Sequence, residues 1–148
     1  EIWPLIRRRT DIPFYIVGSK APEEILALDG QNGIVVKGFV TDEELEELYG
    51  SCQAVVVPLR CSAGVKGKVI EALYYGLPTV TTSIGAEGIE GADEVLAVAD
   101  TAEDFARMTL KYCEDPELSG RTGRAAVEYV KNTFGMEAVW EIVKEDFQ

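Results

Sequence analysis

Five short apolar runs alternating with helix-patterned stretches constrain this chain more than any other feature. The runs are Pro13-Phe14-Tyr15-Ile16-Val17-Gly18, Ile34-Val35-Val36, Ala54 to Val57, Thr79 to Thr81, and approximately Glu94 to Val98. Runs this short and nearly continuous in apolar character suit strands buried on both faces, as in a parallel sheet. Helices between successive strands supply the crossovers that such a sheet needs. Ala21 to Leu28 is a helix with Pro22 in its first turn. Thr41 and Glu44 form a capping box, opening a helix that runs to about Gly50 and packs through Leu45 and Leu48. After the fifth run the pattern is helical only. Asp100 or Thr101 caps a helix bearing Phe105, Met108, Leu110 and Tyr112. Pro116 opens a second helix bearing Leu118, Ala125, Val127, Tyr129 and Val130, and a third runs from Met136 through Trp140 towards Phe147. The predicted fold is α/β: a Rossmann-like parallel sheet covered by helices on both faces, with a helical C-terminal extension. At 148 residues and 47% apolar content, residues 1–148 are expected to make one domain.

Charge and residue usage narrow the chemistry. Fourteen Lys and Arg face 26 Asp and Glu, a net charge of −12 that repels nucleic acid and anionic membrane. A local basic pocket is still allowed, because Arg60, Lys66 and Lys68 lie within nine residues of one another. The sequence contains no histidine, which excludes a Ser-His-Asp triad, a Cys-His nucleophile and a His-ligated metal within it. The three cysteines, Cys52, Cys61 and Cys113, are an odd number without a C-x-x-C pair. They read as buried, inert hydrophobes in a reducing cytoplasm, with neither a disulfide framework nor a metal site expected. Trp3 and Trp140 read as packing residues. No apolar run reaches the ~18 residues of a membrane span.

The richest stretch runs from Ala54 to Gly88. A strand ends at Pro58, and a small basic loop follows through Arg60. A helix is then entered through Gly64 and Gly67, with Lys66 and Lys68 in its first turn and Glu71 a turn later. Backbone N–H groups at a helix N-terminus attract anions, whereas lysines there oppose the helix dipole. A bound phosphate would offset that opposition. The alternative is that Lys66 and Lys68 dress a solvated helix start and that Glu71 serves the dipole. The segment holds neither a Walker G-x-x-x-x-G-K-[ST] nor a dinucleotide G-x-G-x-x-G pattern.

Glu71-Ala72-Leu73-Tyr74-Tyr75-Gly76-Leu77-Pro78-Thr79-Val80 resembles the E-A-x-x-x-G-x-P-V-V motif of retaining GT-B glycosyltransferases, the group 1 family. Pro58, Leu59, Arg60, Ala63, Gly64, Lys66 and Lys68 match a subfamily reading P-L-R-x-x-A-G-x-K-x-K-x-x-E. The likeness continues in order through Ile16-Val17-Gly18, Gly38-Phe39-Val40, Leu48-Tyr49 and Thr82 to Ile89. It departs at Ala63, where the common motif has its first glutamate, and this puts the donor sugar, and donor use itself, in question.

The resemblance implies the C-terminal, donor-binding domain of such an enzyme. A nucleotide-diphosphate sugar would be the donor substrate, and no permanently bound cofactor is expected. In an open parallel sheet the ligand lies beyond the carboxyl ends of the strands. Those ends are Gly18-Ser19, Gly38 to Thr41, Pro58 to Lys68 and Ser83 to Gly88, and they are expected to converge on one crevice. By resemblance Glu71 takes the ribose hydroxyls, and Phe39 and Val40 flank the base, with core packing the competing role for Phe39. Gly64, Val65 and Lys66 offer backbone amides to the sugar or distal phosphate, with charge from Lys66 or Lys68. Arg60 suits a phosphate contact or an internal salt bridge equally. Gly18 joins the candidate set, no residue here is assigned a catalytic proton transfer, and Asp100 and Glu103 read as helix-start acids.

The acceptor, a glycan or a lipid-linked group, would bind a separate N-terminal domain. The chain is accordingly expected to be a fragment, inactive alone, of a cytoplasmic or peripheral membrane protein making cell-surface polysaccharide or glycoconjugate. Its first residues read as the latter part of a helix, so a sheet ordered 3-2-1-4-5-6 would lack its central strand and expose edges that invite oligomerisation. The competing class is a non-catalytic module for protein association built on the same fold. A receiver domain is disfavoured by the lack of an acidic cluster after the first strand.

Overall fold

The computed structural model describes residues 1–61 and 66–135. Its chain divides into two compact units, residues 1–51 and 52–148.

The first unit begins with helix α1, Ile2–Arg7, followed by strand β1, Phe14–Val17. Helix α2, Glu23–Leu26, is a single turn. Pro22 stands at its N-cap in extended conformation, not inside the first turn, and the chain leaves the helix at Ala27. The predicted Ala21 to Leu28 helix is therefore trimmed at both ends. Asn32 and Gly33 turn the chain with φ of 50° and 77°, and strand β2, Ile34–Gly38, follows. β1 and β2 pair in parallel, Phe14 opposite Ile34 and Ile16 opposite Val36, with an irregularity before Val17 meets Gly38. Helix α3, Asp42–Ser51, starts at the anticipated capping box. The Glu44 amide donates to Thr41 Oγ1 (3.2 Å), and the Thr41 amide donates to Glu44 Oε2 (2.8 Å). Trp3 packs as expected, its ring stacked on Phe14 at 4.9 Å and its indole N–H donating to the Asn32 carbonyl.

The second unit holds strands β3 (Val55–Val57), β4 (Thr79–Thr81) and β5 (Leu96–Val98). They pair in parallel in the order β3-β4-β5, with Val56, Val80 and Ala97 in register. The five anticipated strands thus form two parallel sheets of two and three strands.

Between the strands lie helix α4, Gly67–Tyr74, and the single-turn helix α5, Ser83–Ala86. Helices α6, Ala102–Glu114, and α7, Pro116–Phe134, complete the described chain. Thr101, not Asp100, caps α6, accepting from the Asp104 amide. Asp115 caps α7, with Pro116 at its first position. The predicted helix beyond Met136, with Trp140, lies outside the described residues.

The core sits under the three-stranded sheet. Val69 and Leu73 of α4 pack with Ile89, Ala92, Val95 and Leu96, and with Ala126 and Val130 of α7. All of β4 is sealed from solvent, as a strand covered on both sides must be. The turn that ends α4 meets α7 at two glycines. Gly76 ends α4 at φ 71°, a left-handed conformation that glycine adopts without strain. A β-carbon on Gly123 would collide with the Gly76 carbonyl oxygen, so the approach requires glycine in the middle of α7.

Candidate functional site at the strand ends

The carboxyl end of the three-stranded sheet is shaped by a row of hydroxyls. Thr81 Oγ1 donates to the Val57 carbonyl (2.8 Å), and Thr82 Oγ1 donates to the Leu59 carbonyl (2.7 Å). These bonds fix the segment leaving β3, which carries Pro58 to Arg60, against the segment leaving β4. Thr82 also caps α5, its hydroxyl accepting from the Gly85 amide. Gly85 has no room for a side chain because Thr81 Oγ1 lies where its β-carbon would be. Asp100, just beyond β5, accepts from both the amide (2.8 Å) and the hydroxyl (2.9 Å) of Ser83. The ends of all three strands are thereby cross-linked. Asp100 acts across the sheet, where a helix-start acid was anticipated.

A cleft of about 710 Å³ opens at these strand ends, lined by Arg60, Cys61, Ser83, Ile84, Glu87 and Val98 among others. Its position follows the rule for open parallel sheets. Cys61 is exposed, against the expectation that every cysteine is buried, because it follows the strand end into the cleft wall. Cys52 and Cys113 are half-buried, and burial pushes both thiols above their ordinary pKa, which suits unreactive packing.

Lys66 is the N-cap of α4, one residue before the helix, and its side chain is only 6% exposed. That burial overturns the picture of Lys66 as a solvated surface lysine. Its ammonium lies 3.7 Å from Glu87 Oε2. The Val69 and Ile70 amides both donate to the Lys66 carbonyl, leaving the Gly67 and Lys68 amides at the head of the helix. A lysine side chain has no acceptor with which to cap them. Lys68, by contrast, is 74% exposed and pairs at 2.8 Å with Glu71, whose side chain is 28% exposed. Gly64 and Val65, with Ala63, lie outside the described residues.

Gly18 and Val40 belong to the first unit, at the carboxyl ends of β1 and β2. The Gly18 amide donates to the Gly38 carbonyl (2.8 Å), and Val40 is half-buried two residues past β2. Phe39 is 78% exposed, so the core-packing role is excluded for it. Ser83 and Glu87 lie in the Ser83 to Gly88 segment expected at the crevice, whereas Thr82 and Asp100 were not placed there. The visible signal was the polar run Thr81-Thr82-Ser83 directly after a buried strand. Among the described residues, no cluster of three Asp, Glu or Cys side chains is arranged to hold a metal, and no helix is long and apolar enough to cross a membrane.

Parallel strands flanked by helices, with a cleft at the strand ends, define an α/β class of fold similar to that of GT-B glycosyltransferases. Residues 1–115 match the family described as glycosyl transferases group 1, and the chain belongs to that family. It is similar to an uncharacterized 44.6 kDa protein in the cps region of Klebsiella pneumoniae, 25% identical over 150 residues. That alignment covers 96% of this chain and 39% of the relative. The crystal structure of WaaG, a glycosyltransferase involved in lipopolysaccharide biosynthesis, matches with a TM-score of 0.70 at 18% identity. It covers 95% of this chain and 42% of WaaG, a likeness of fold. The chain thus spans about two fifths of the length of each.

Proposed function

We propose that residues 1–148 form the donor-binding domain of a retaining hexosyltransferase, holding a nucleotide-diphosphate sugar and stabilising the diphosphate as it leaves. The observation that carries this reading is the buried ammonium of Lys66 at the head of α4, beside the strand-end cleft of a group 1 glycosyl transferase. A lysine is rarely so covered without a charged partner or ligand. Retaining transfer requires the anomeric C–O bond to weaken while negative charge grows on the diphosphate, and fixed cations and amides aimed at that charge lower the barrier. Lys66, the Gly67 and Lys68 amides and the Arg60 guanidinium are suited to that task. Glu71 accepts from the ribose hydroxyls in this reading, exchanging its exposed Lys68 partner for them. Gly18 and Val40 serve the base side, and Gly64 and Val65 the sugar. The donor binds as a substrate, without a permanent cofactor or metal.

The acceptor, a glycan or lipid-linked group, would bind a separate domain of the longer protein, and this domain alone would transfer no sugar. The cps-region relative and the lipopolysaccharide role of WaaG support cell-surface polysaccharide or glycoconjugate synthesis. A place in the cytoplasm or at the membrane periphery is part of the same proposal. The outer edges of β1 and β3 are candidate positions for a further parallel strand or a second copy.

The test is UDP and GDP affinity in the protein that carries this chain. Lys66→Ala and Lys68→Ala are each measured, and Lys66→Ala is expected to weaken binding about tenfold, 1.4 kcal/mol. If neither change weakens binding by at least about threefold, the charged-site reading fails. Glu71→Gln is expected to reduce transfer severely with the fold intact, because charge-assisted bonds to the two hydroxyls are lost. An unchanged donor KM in an active Glu71→Gln enzyme would demote Glu71 to a helix charge.

A further inference from the structure

We infer that Glu87 is the resident counter-ion of Lys66, a positioning residue that a diphosphate must displace and that thereby limits how tightly the site holds anions. The inference rests on the donor-site reading given above. Its starting point is the asymmetry of the pair: Lys66 is 6% exposed, whereas Glu87 is 65% exposed. A covered ammonium requires compensating negative charge, and the cost of its burial falls wherever such charge is near. Glu87 supplies that charge from the rim of the cleft.

Its backbone is held there firmly. Thr82 caps the turn before it, Gly85 is locked against Thr81, and buried Ile89 anchors the chain two residues later. The Tyr129 hydroxyl secures the next stretch by donating to the Glu90 carbonyl (2.6 Å). The carboxylate itself is largely exposed. Its oxygen is 3.7 Å from Lys66 Nζ, within ion-pair range but longer than a charge-assisted hydrogen bond of about 2.7–2.9 Å. A phosphate oxygen arriving at the helix head can therefore form a shorter contact with Lys66 while Glu87 turns to solvent. On the same rim it stands among the cleft residues with Arg60, so it also opposes retention of the anionic product once the sugar has gone.

Inorganic pyrophosphate, titrated calorimetrically into the protein that carries this chain, tests the assignment by the sign of the effect. Glu87→Gln is expected to tighten pyrophosphate binding about threefold, as fits an ion pair with one exposed partner. Glu87→Asp, which keeps the charge, should stay within about twofold of the unaltered protein. In a Lys66→Ala background, Glu87→Gln should give no gain. A purely structural role predicts weaker binding on substitution, so unchanged or weaker binding by Glu87→Gln overturns the assignment while leaving the donor site standing. If neither the unaltered protein nor Glu87→Gln binds pyrophosphate, the assignment and the donor-site reading fall together.

Discussion

The two units of this chain are made of similar sequence pieces yet are held together differently. In residues 1–51 the buried hydrophobics are Ile6 and Ile34, and helices α2 and α3 bury no residue. Val17, Leu26 and Phe39 are exposed there. This unit relies on local bonds: the Thr41–Glu44 box, the Trp3–Phe14 stack, and the Val36 amide donating to Asp29 Oδ1 (2.8 Å). The second unit seals β4 completely and packs α4 against α7 around Leu73 and Ala126. Pairing strands in parallel does not by itself produce a core. A two-stranded sheet offers little surface to cover, and three strands with helices against them offer much more.

That contrast predicts a ranking of substitutions, read by urea denaturation of the protein. Leu73→Ala removes a fully buried side chain from the centre of the second unit and should cost about 3 kcal/mol, within the usual range for such cavities. A loss below about 1 kcal/mol would mean that the core is looser than its burial indicates. Gly123→Ala comes next, at about 2 kcal/mol. Alanine is normally the better helix former by up to about 1 kcal/mol, so the sign of this change is diagnostic. Destabilisation confirms that the Gly76 carbonyl occupies the space, and stabilisation would show that α4 and α7 do not meet there.

What the sequence disclosed follows the same division. Strand centres were legible because apolar continuity survives any register, and the capping box was legible because its two bonds join residues three apart. Helix α2 was overextended because Pro22 fits an N-cap as well as a first turn, and sequence spacing does not separate the two. At the site, the Gly/Lys loop and Glu71 were visible as a motif. The burial of Lys66 was not, because it is a matter of tertiary packing, in which a carboxylate 21 positions away comes within 3.7 Å of the ammonium. Asp100 was misread for the same reason: an acid before a helix looks like a cap until Ser83 is found across the sheet. The exposure of Phe39 and Cys61 was hidden too, since a lone residue at a strand end has no periodicity to reveal its side.

The smallest effect sharpens the comparison most, because it lies in the unit that has little core to spare. Thr41→Ala deletes the hydroxyl that receives the Glu44 amide and leaves Glu44 holding the Thr41 amide alone. The expected cost is about 1 kcal/mol, typical of an N-cap. It is measured best by amide hydrogen exchange within residues 42–51, because local opening of α3 exposes those amides without unfolding the second unit's core. At that cost the affected amides should exchange about fivefold faster, 1.4 kcal/mol being a tenfold change. Glu44→Gln keeps an acceptor for the Thr41 amide and should speed exchange less than Thr41→Ala. Equal exchange in Thr41→Ala and the unaltered protein would mean that α3 is secured by burial after all, and the distinction between the two units would lose its main support.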